Sequence, residues 1–360
     1  MNKRNPPLWL TTVLLIVALV WRMVGAPLQA DEWLNLKIPL RQAGVQLPFR
    51  ISRILTFWFA DKVKQEDKAG EKSEKADPQA QPVWLSVYQT EEGTLTRMSL
   101  SGYVCGVVAA EMPATYHLEA LKAQAVAART RALAQIGAEG CSKYPGADIC
   151  TDSSHCQGYD TLAECQERWR DSYEIYRTRI QQAEKETAGQ WLSYGNKPID
   201  VFYHAISGGK TEDAQTVFSQ SYPYLVSVDS NGEEAVRGYQ QDTTMSYEEI
   251  KQKLSVQLSS EEIRRSFTIG SYSAAGRVQT VNVGERVFTG TEIRNALGLR
   301  STWFSITMND DGITFHQKGY GHGVGMSQAG ANVMAAEGSD YLDILFHYYP
   351  GVEIKTGSCE

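Results

Sequence analysis

The stretch from Leu118 to Ile136 contains neither Gly nor Pro and is built largely of Ala, Leu, Lys, Arg and Gln. A run of that length and composition has one regular solution, an α-helix, and its small side chains let other elements pack closely against it. We expect an amphipathic helix ended by Gly137 and Gly140. Just upstream, Val107-Val108-Ala109-Ala110-Glu111-Met112-Pro113 sets one carboxylate in an apolar run that Pro113 stops. A carboxyl group that loses water holds its proton more tightly, and a carboxyl still protonated near neutral pH is what a general acid requires. From these few residues alone, a solvated glutamate at a helix end is the simpler reading.

The rest of the body alternates irregularly between strand and helix signals. Residues 83–89 and 95–100 form a hairpin around Glu-Glu-Gly-Thr, Ser101 opens a short helix that runs to Met112, and a polar helix covers roughly 171–188. A strand pair is expected around Gly195-Asn196, and Ser246 and Ser259 each stand three residues before a Glu, the capping-box pattern. Residues 278–283, 302–308 and 312–318 read as strands, and a helix begins at Thr291. A glycine-rich turn at 319–325 feeds a helix ending at Ala336, and a last helix, 339–349, is closed by Pro350-Gly351. This order predicts an α+β domain of mixed helices and antiparallel strands, not a wound parallel sheet.

Lys3 and Arg4 precede an apolar run, Leu8 to Trp21, which Arg22 interrupts and Met23 to Leu28 extends. An uncleaved transmembrane anchor and a signal peptide cut near Ala30 both fit, and both place the remainder outside the cytoplasm. We adopt the anchor, because Leu28-Gln29-Ala30 is an indifferent cleavage site. Residues 61–82 are highly charged, with almost no apolar side chain larger than Ala, and read as a tether. The expected organisation is therefore an anchor at 1–30, a juxtamembrane segment and linker at 31–82, and an extracytoplasmic domain at 83–360. The net charge is −7, and every charge in the first thirty residues is positive, so the body is more acidic still. That balance argues against a nucleic-acid partner.

Cys141, Cys150, His155 and Cys156 offer four N and S donors on short loops, the set that a tetrahedral zinc takes in a closed, structural site. Six cysteines in an exported chain also make disulfides a fair reading, although an adjacent His-Cys pair has no use in such a framework. Cys105, Cys165 and Cys359 are left as buried or free thiols. The 319–325 turn lacks the Lys-Ser/Thr pair of a phosphate loop, but its glycines would let the backbone approach a ligand and display His322; a tight structural turn is the alternative. Ser207-Gly208-Gly209 lies close to His204 but lacks the Gly-x-Ser-x-Gly elbow, which argues against a serine hydrolase.

Several separated blocks together carry a resemblance. They are YVCGVVAAEMP with LEALKAQAVAARTRAL, CTDSSHCQGY, FYHAISGGKTEDAQTVF with YPYLVSVDS, TGTEIRNALGLRSTWF, and GYGHGVGMSQAGA with DYLDILFHYYPGV. In this order they resemble the stage II sporulation protein D family, membrane-anchored lytic transglycosylases of endospore-forming bacteria, across essentially all of residues 83–356. The resemblance implies cleavage of the β-1,4 bond between N-acetylmuramic acid and N-acetylglucosamine to a 1,6-anhydro sugar, with peptide-free glycan strands preferred. It implies that Glu111, in the Glu-Met-Pro motif, is the single acid/base. Tyr203, His204, Ser207, Gly208, Gly209, Thr211, His322 and Gln328 would then wall a glycan groove. The family's zinc ligands carry over to Cys150, His155 and Cys156, with Cys141 replacing a His that family members place upstream. Arg131 and Ala329 stand where the family commonly has an aromatic. Implied partners are the membrane, a wall amidase or endopeptidase, and a membrane protein of the engulfment complex, with the domain on the mother-cell membrane facing the septal wall. Two other classes compete: a non-catalytic amidase-enhancer module that binds peptidoglycan, and a redox protein built on the cysteines.

Overall fold

The computed structural model describes residues 83–136 and 140–357, so the expected anchor and tether lie outside the described residues. Among the described residues no helix is long and apolar enough to cross a membrane. The described residues begin with a hairpin, β1 (Trp84–Gln89) and β2 (Thr94–Ser99), then α1 (Leu100–Glu111) and α2 (Leu118–Ile136). Strand β3 (Ile149–Cys150), α3 (Leu162–Trp169), α4 (Tyr173–Glu186), β4 (Gln190–Tyr194), β5 (Lys197–Pro198), β6 (Tyr203–His204) and α5 (Ala214–Phe218) follow. The second half holds β7 (Gln240–Ser246), α6 (Tyr247–Leu254), α7 (Ser260–Ser266), β8 (Thr268–Tyr272), β9 (Val278–Val283), β10 (Arg286–Thr289) and α8 (Gly290–Leu297). It closes with β11 (Phe304–Met308), β12 (Gly312–Lys318), β13 (Met326–Ser327), α9 (Gln328–Ala336), α10 (Tyr341–Tyr348) and β14 (Glu353–Thr356).

The α+β expectation holds, with small sheets ordered β2-β1-β3, β14-β4-β5, β10-β9-β8 and β11-β12-β7. Two pairings depart from the antiparallel pattern: β1 runs parallel to β3, and β6 parallel to β13. Both join segments far apart in sequence, which is why strand patterning alone did not reveal them.

Helix α2 is the axis of the larger core. Residues 123–130 are buried one after another, so the middle of this helix is enclosed on all sides instead of amphipathic. Alanines make that possible, because they let α1, α4, β4, α9 and α10 approach from different directions. The one cation in this stretch, Arg129, is satisfied internally. It donates to the carbonyls of Thr187 (2.8 Å) and Gln190 (3.1 Å) and pairs with Glu184 (3.1 Å).

A second core fills the insertion between β6 and β13. Ile250, Phe267, Val281, Phe304, Ile313 and Phe315 are among its members, packed between two three-stranded antiparallel sheets and helices α6 to α8. Capping boxes start α6 at Ser246, α7 at Ser259 and α8 at Thr289, the first two as the sequence predicts. Helix α1 is capped by Ser99 instead of Ser101, and α3, capped by Thr161 with Glu164, was not anticipated. Neither were β7, β8, β10, α5 and β14.

Candidate functional site

Glu111 is the last residue of α1 because Pro113 follows. A residue before proline is driven out of the helical region, and Met112 is extended at φ −120° and ψ 141°. The carboxyl group is therefore half-buried at the C-terminal end of an apolar helix. Its Oε1 accepts from the backbone N–H of Gly158 at 2.9 Å, and its Oε2 accepts from Nε2 of Gln328 at 3.2 Å. Burial raises its pKa against the opposing pull of those two hydrogen bonds, and the charge of Asp160 adds to the rise. The negative end of the helix dipole acts in the same direction. A Cβ at residue 158 would stand 2.9 Å from Oε1, so any larger residue there would shift the carboxyl group.

Gly158 arrives at the end of the cysteine-bearing insert, and its neighbour Gln157 ties the floor of the site together. Tyr203 donates to Oε1 of Gln157 at 2.8 Å, and Gln157 Nε2 donates to the Tyr103 hydroxyl at 3.2 Å. Burial, and then the Glu111 charge, push the Tyr203 phenol well above its ordinary pKa, so it remains a neutral donor. Tyr203 lies on β6, whose pairing with β13 brings Gln328 to Glu111 from the other side.

The two histidines are neutral side chains of this scaffold. His204 is buried and donates from Nδ1 to the Val324 carbonyl at 3.1 Å. Burial, followed by His322 and Arg277, drives its pKa well down. His322 accepts from the Val324 N–H on Nδ1 at 3.0 Å and sits between Phe202 and Phe218. Burial, then Arg294 and Arg277, lower it to about 4. Gly319, Gly321, Gly323 and Gly325 all take positive φ, so this turn is one that glycine alone accepts readily.

Ser207 and Thr211, expected on the groove walls, are completely buried, which removes them from direct contact with a ligand. Thr211 closes onto Val228 through both its hydroxyl and its backbone N–H. Ser207 donates to Oε2 of Glu233 at 2.9 Å, and Gly208 N–H donates to the same oxygen at 3.0 Å. Gly208 is also buried, while Gly209 is half-buried. Glu233 sits in an ordinary acidic Gly-Glu-Glu turn with no signal of its own in the sequence, and Gln157 and Gly158 carry none beyond the block that contains them.

The four candidate metal ligands converge. Nδ1 of His155 is 3.6 Å from Cys141 Sγ, 3.5 Å from Cys150 Sγ and 3.2 Å from Cys156 Sγ, and the Cys141 and Cys156 sulfurs are 4.0 Å apart. All four donor atoms lie within 4.8 Å of one another. A tetrahedral zinc with its usual bond lengths would set S···N near 3.6 Å and S···S at about 3.8 Å, so this donor set fits one ion. His155 Nε2 meets Ser142 Oγ at 3.1 Å, the outer contact that fixes a ligating ring. Among the described residues every cysteine is a free thiol, which leaves no disulfide framework there. A cleft of about 630 Å³, lined by Met98, Cys105, Cys165 and Trp169 among others, includes none of Glu111, Tyr203 and Gln328 in its walls.

Comparison with known proteins gives a consistent result. A family model described as stage II sporulation protein matches residues 88–194, which carry Glu111 and all four converging Cys and His side chains. Stage II sporulation protein D of Bacillus subtilis (strain 168) is 38% identical over 276 residues, covering 77% of this chain and 80% of the relative. The protein of the same name from Bacillus amyloliquefaciens is 38% identical over 277 residues, covering 76% and 79%. An amidase enhancer of Bacillus subtilis is 26% identical over 305 residues, covering 70% of this chain but 40% of that protein.

Proposed function

Because this chain belongs to the stage II sporulation protein D family, we propose that it acts in sporulation as a peptidoglycan lytic transglycosylase with Glu111 as its acid/base. The observation that carries the reading is the state of Glu111, a half-buried acid with a raised pKa, aimed by two donors. Protonated Glu111 gives its proton to the glycosidic oxygen as the C1–O bond breaks. The resulting carboxylate removes the proton from the C6 hydroxyl of the same sugar, and that oxygen bonds to C1. The product is a 1,6-anhydro ring, no water is consumed, and the enzyme regains its proton. Gly158 and Gln328 can support the intermediate carboxylate because both donate to it. Glycosidases that add water use two carboxyl groups in concert. Asp160, the acid whose charge Glu111 feels, is committed to an ion pair with Arg168, which favours the single-acid route.

Cys141, Cys150, His155 and Cys156 would hold zinc as a closed structural crosslink, supplying rigidity to the insert that ends at Gly158. We further propose that residues 1–30 anchor the chain, that 31–82 tether it, and that 83–360 face the wall, with a wall amidase supplying peptide-free glycan.

The rival is a non-catalytic amidase activator, favoured by the match to an amidase enhancer. Full-length protein incubated with peptide-free glycan strands, with and without a wall amidase, separates them by mass spectrometry. The transglycosylase reading expects anhydro-ended fragments in the absence of amidase. The activator reading expects none, and faster release of stem peptides when amidase is present.

A further inference from the structure

Glu233 has no exposed surface, yet it takes four hydrogen bonds from three segments of the fold. Its Oε2 accepts from Ser207 and Gly208, and its Oε1 accepts from Ser230 at 2.7 Å and Ser327 at 2.5 Å. The proton bookkeeping is unambiguous at two of these. The Ser207 hydroxyl accepts from Gly209 N–H at 3.0 Å, and the Ser327 hydroxyl accepts from Ser207 N–H and Gly330 N–H, both at 3.2 Å. Each hydroxyl therefore spends its own hydrogen on Glu233. A buried carboxylate with four donors is held far more rigidly than one facing water.

Ser327 is also the N-cap of α9, and the next residue is Gln328, the donor to Glu111. Contact leaves this turn no freedom. A Cβ on Gly330 would stand 2.8 Å from Glu233 Oε1 and 2.3 Å from Ser230 Oγ. We propose that Glu233 is a positioning residue for the acid/base: it orients the Ser327 cap from which Gln328 reaches the Glu111 carboxyl. The chain of contacts is Glu233 to Ser327, Ser327 to the first turn of α9, and Gln328 to Glu111. Its kinetic consequence rests on the transglycosylase reading; its structural consequence does not.

The test is a carbon-13 titration of the Glu111 carboxyl in full-length protein, its resonance assigned by its absence in Glu111→Gln. A hydrogen bond to the charged carboxylate favours that form, so losing the Gln328 contact raises the Glu111 pKa. Gln328→Ala calibrates the effect, expected at about half a pH unit or more. Glu233→Gln and, tested in parallel, Ser327→Ala are expected to move the titration in the same direction by most of that amount. The alkaline limb of any anhydro-sugar activity should move upward with it. Glu233→Asp, which keeps the charge, should fall between Glu233→Gln and wild type. If Glu233→Gln is too unstable to titrate, Ser327→Ala alone decides. An unmoved titration in the folded variants, or in Gln328→Ala itself, overturns the proposal. Absence of anhydro product from wild type would instead count against the transglycosylase reading while the titration still decides this one.

Discussion

The chemistry proposed for Glu111 rests on three neighbours that would not themselves react: Pro113 ends the helix, Gly158 lets a backbone N–H come within 2.9 Å, and Gln328 closes from the far side. Gly158→Ala is expected to cut activity about 10- to 100-fold with little loss of stability, since its methyl would displace the carboxyl from its aimed position. Steady-state kinetics beside thermal melts check this. The raised pKa fixes the direction of the pH dependence. In the proposed reaction the proton must be present to protonate the glycosidic oxygen, so activity is expected to fall as pH rises through the folded-state pKa. His322 has the opposite kind of shift, down to about 4 from an ordinary value of 6.5. The folded state binds fewer protons there than the unfolded one, so this contribution is present above about pH 6.5 and is lost as pH falls towards 4. It amounts to roughly 2–3 kcal/mol. His322→Gln should remove much of that acid sensitivity in urea unfolding at pH 7 and pH 4.5; an identical loss in both proteins would count against it.

At the level of elements, α2 and the cysteine-bearing insert hold the site from two directions. Arg129 is the buried cation of α2, and Arg129→Met would leave the Glu184 carboxylate without its partner and take one donor from each of the Thr187 and Gln190 carbonyls. We expect a loss of about 3 kcal/mol, read as an earlier urea midpoint with an unchanged slope. The insert makes a second prediction. Chelating the zinc proposed for the insert should speed backbone hydrogen exchange in 141–158 and lower activity together, because Cys156 lies two residues before Gly158. Unchanged exchange on chelation would separate the insert from the site. These elements were legible to different degrees. The α2 helix was plain from its composition, and the Ser246 and Ser259 capping boxes from their three-residue spacing. The convergence of Cys141 with the other donors was an expectation that the fold places within reach. Enclosure of α2 on every side was not legible, because periodicity reports the mean face of a helix and not how many elements alanines will admit.

Over the whole molecule, the site depends on contacts that cross most of the chain. Residue 111 meets residues 158 and 328, while Tyr203 and Gln328 are brought near each other by the parallel pairing of β6 with β13. The insertion between those strands carries its own core and supplies no group to Glu111. No local pattern encodes such pairings, which is why the glycine-rich blocks were visible but their partners were not. The same reason explains the misplacement of Ser207 and Thr211, polar residues in a glycine-rich segment that turn inward onto Glu233 and Val228. The central claim is that one carboxyl group performs both proton transfers. Its most direct measurement compares wild type and folded Glu111→Gln on peptide-free glycan strands, counting 1,6-anhydro ends by mass spectrometry. The account predicts anhydro ends from wild type and at least about a 100-fold reduction in the variant. Equal release of anhydro ends by the two proteins would contradict it.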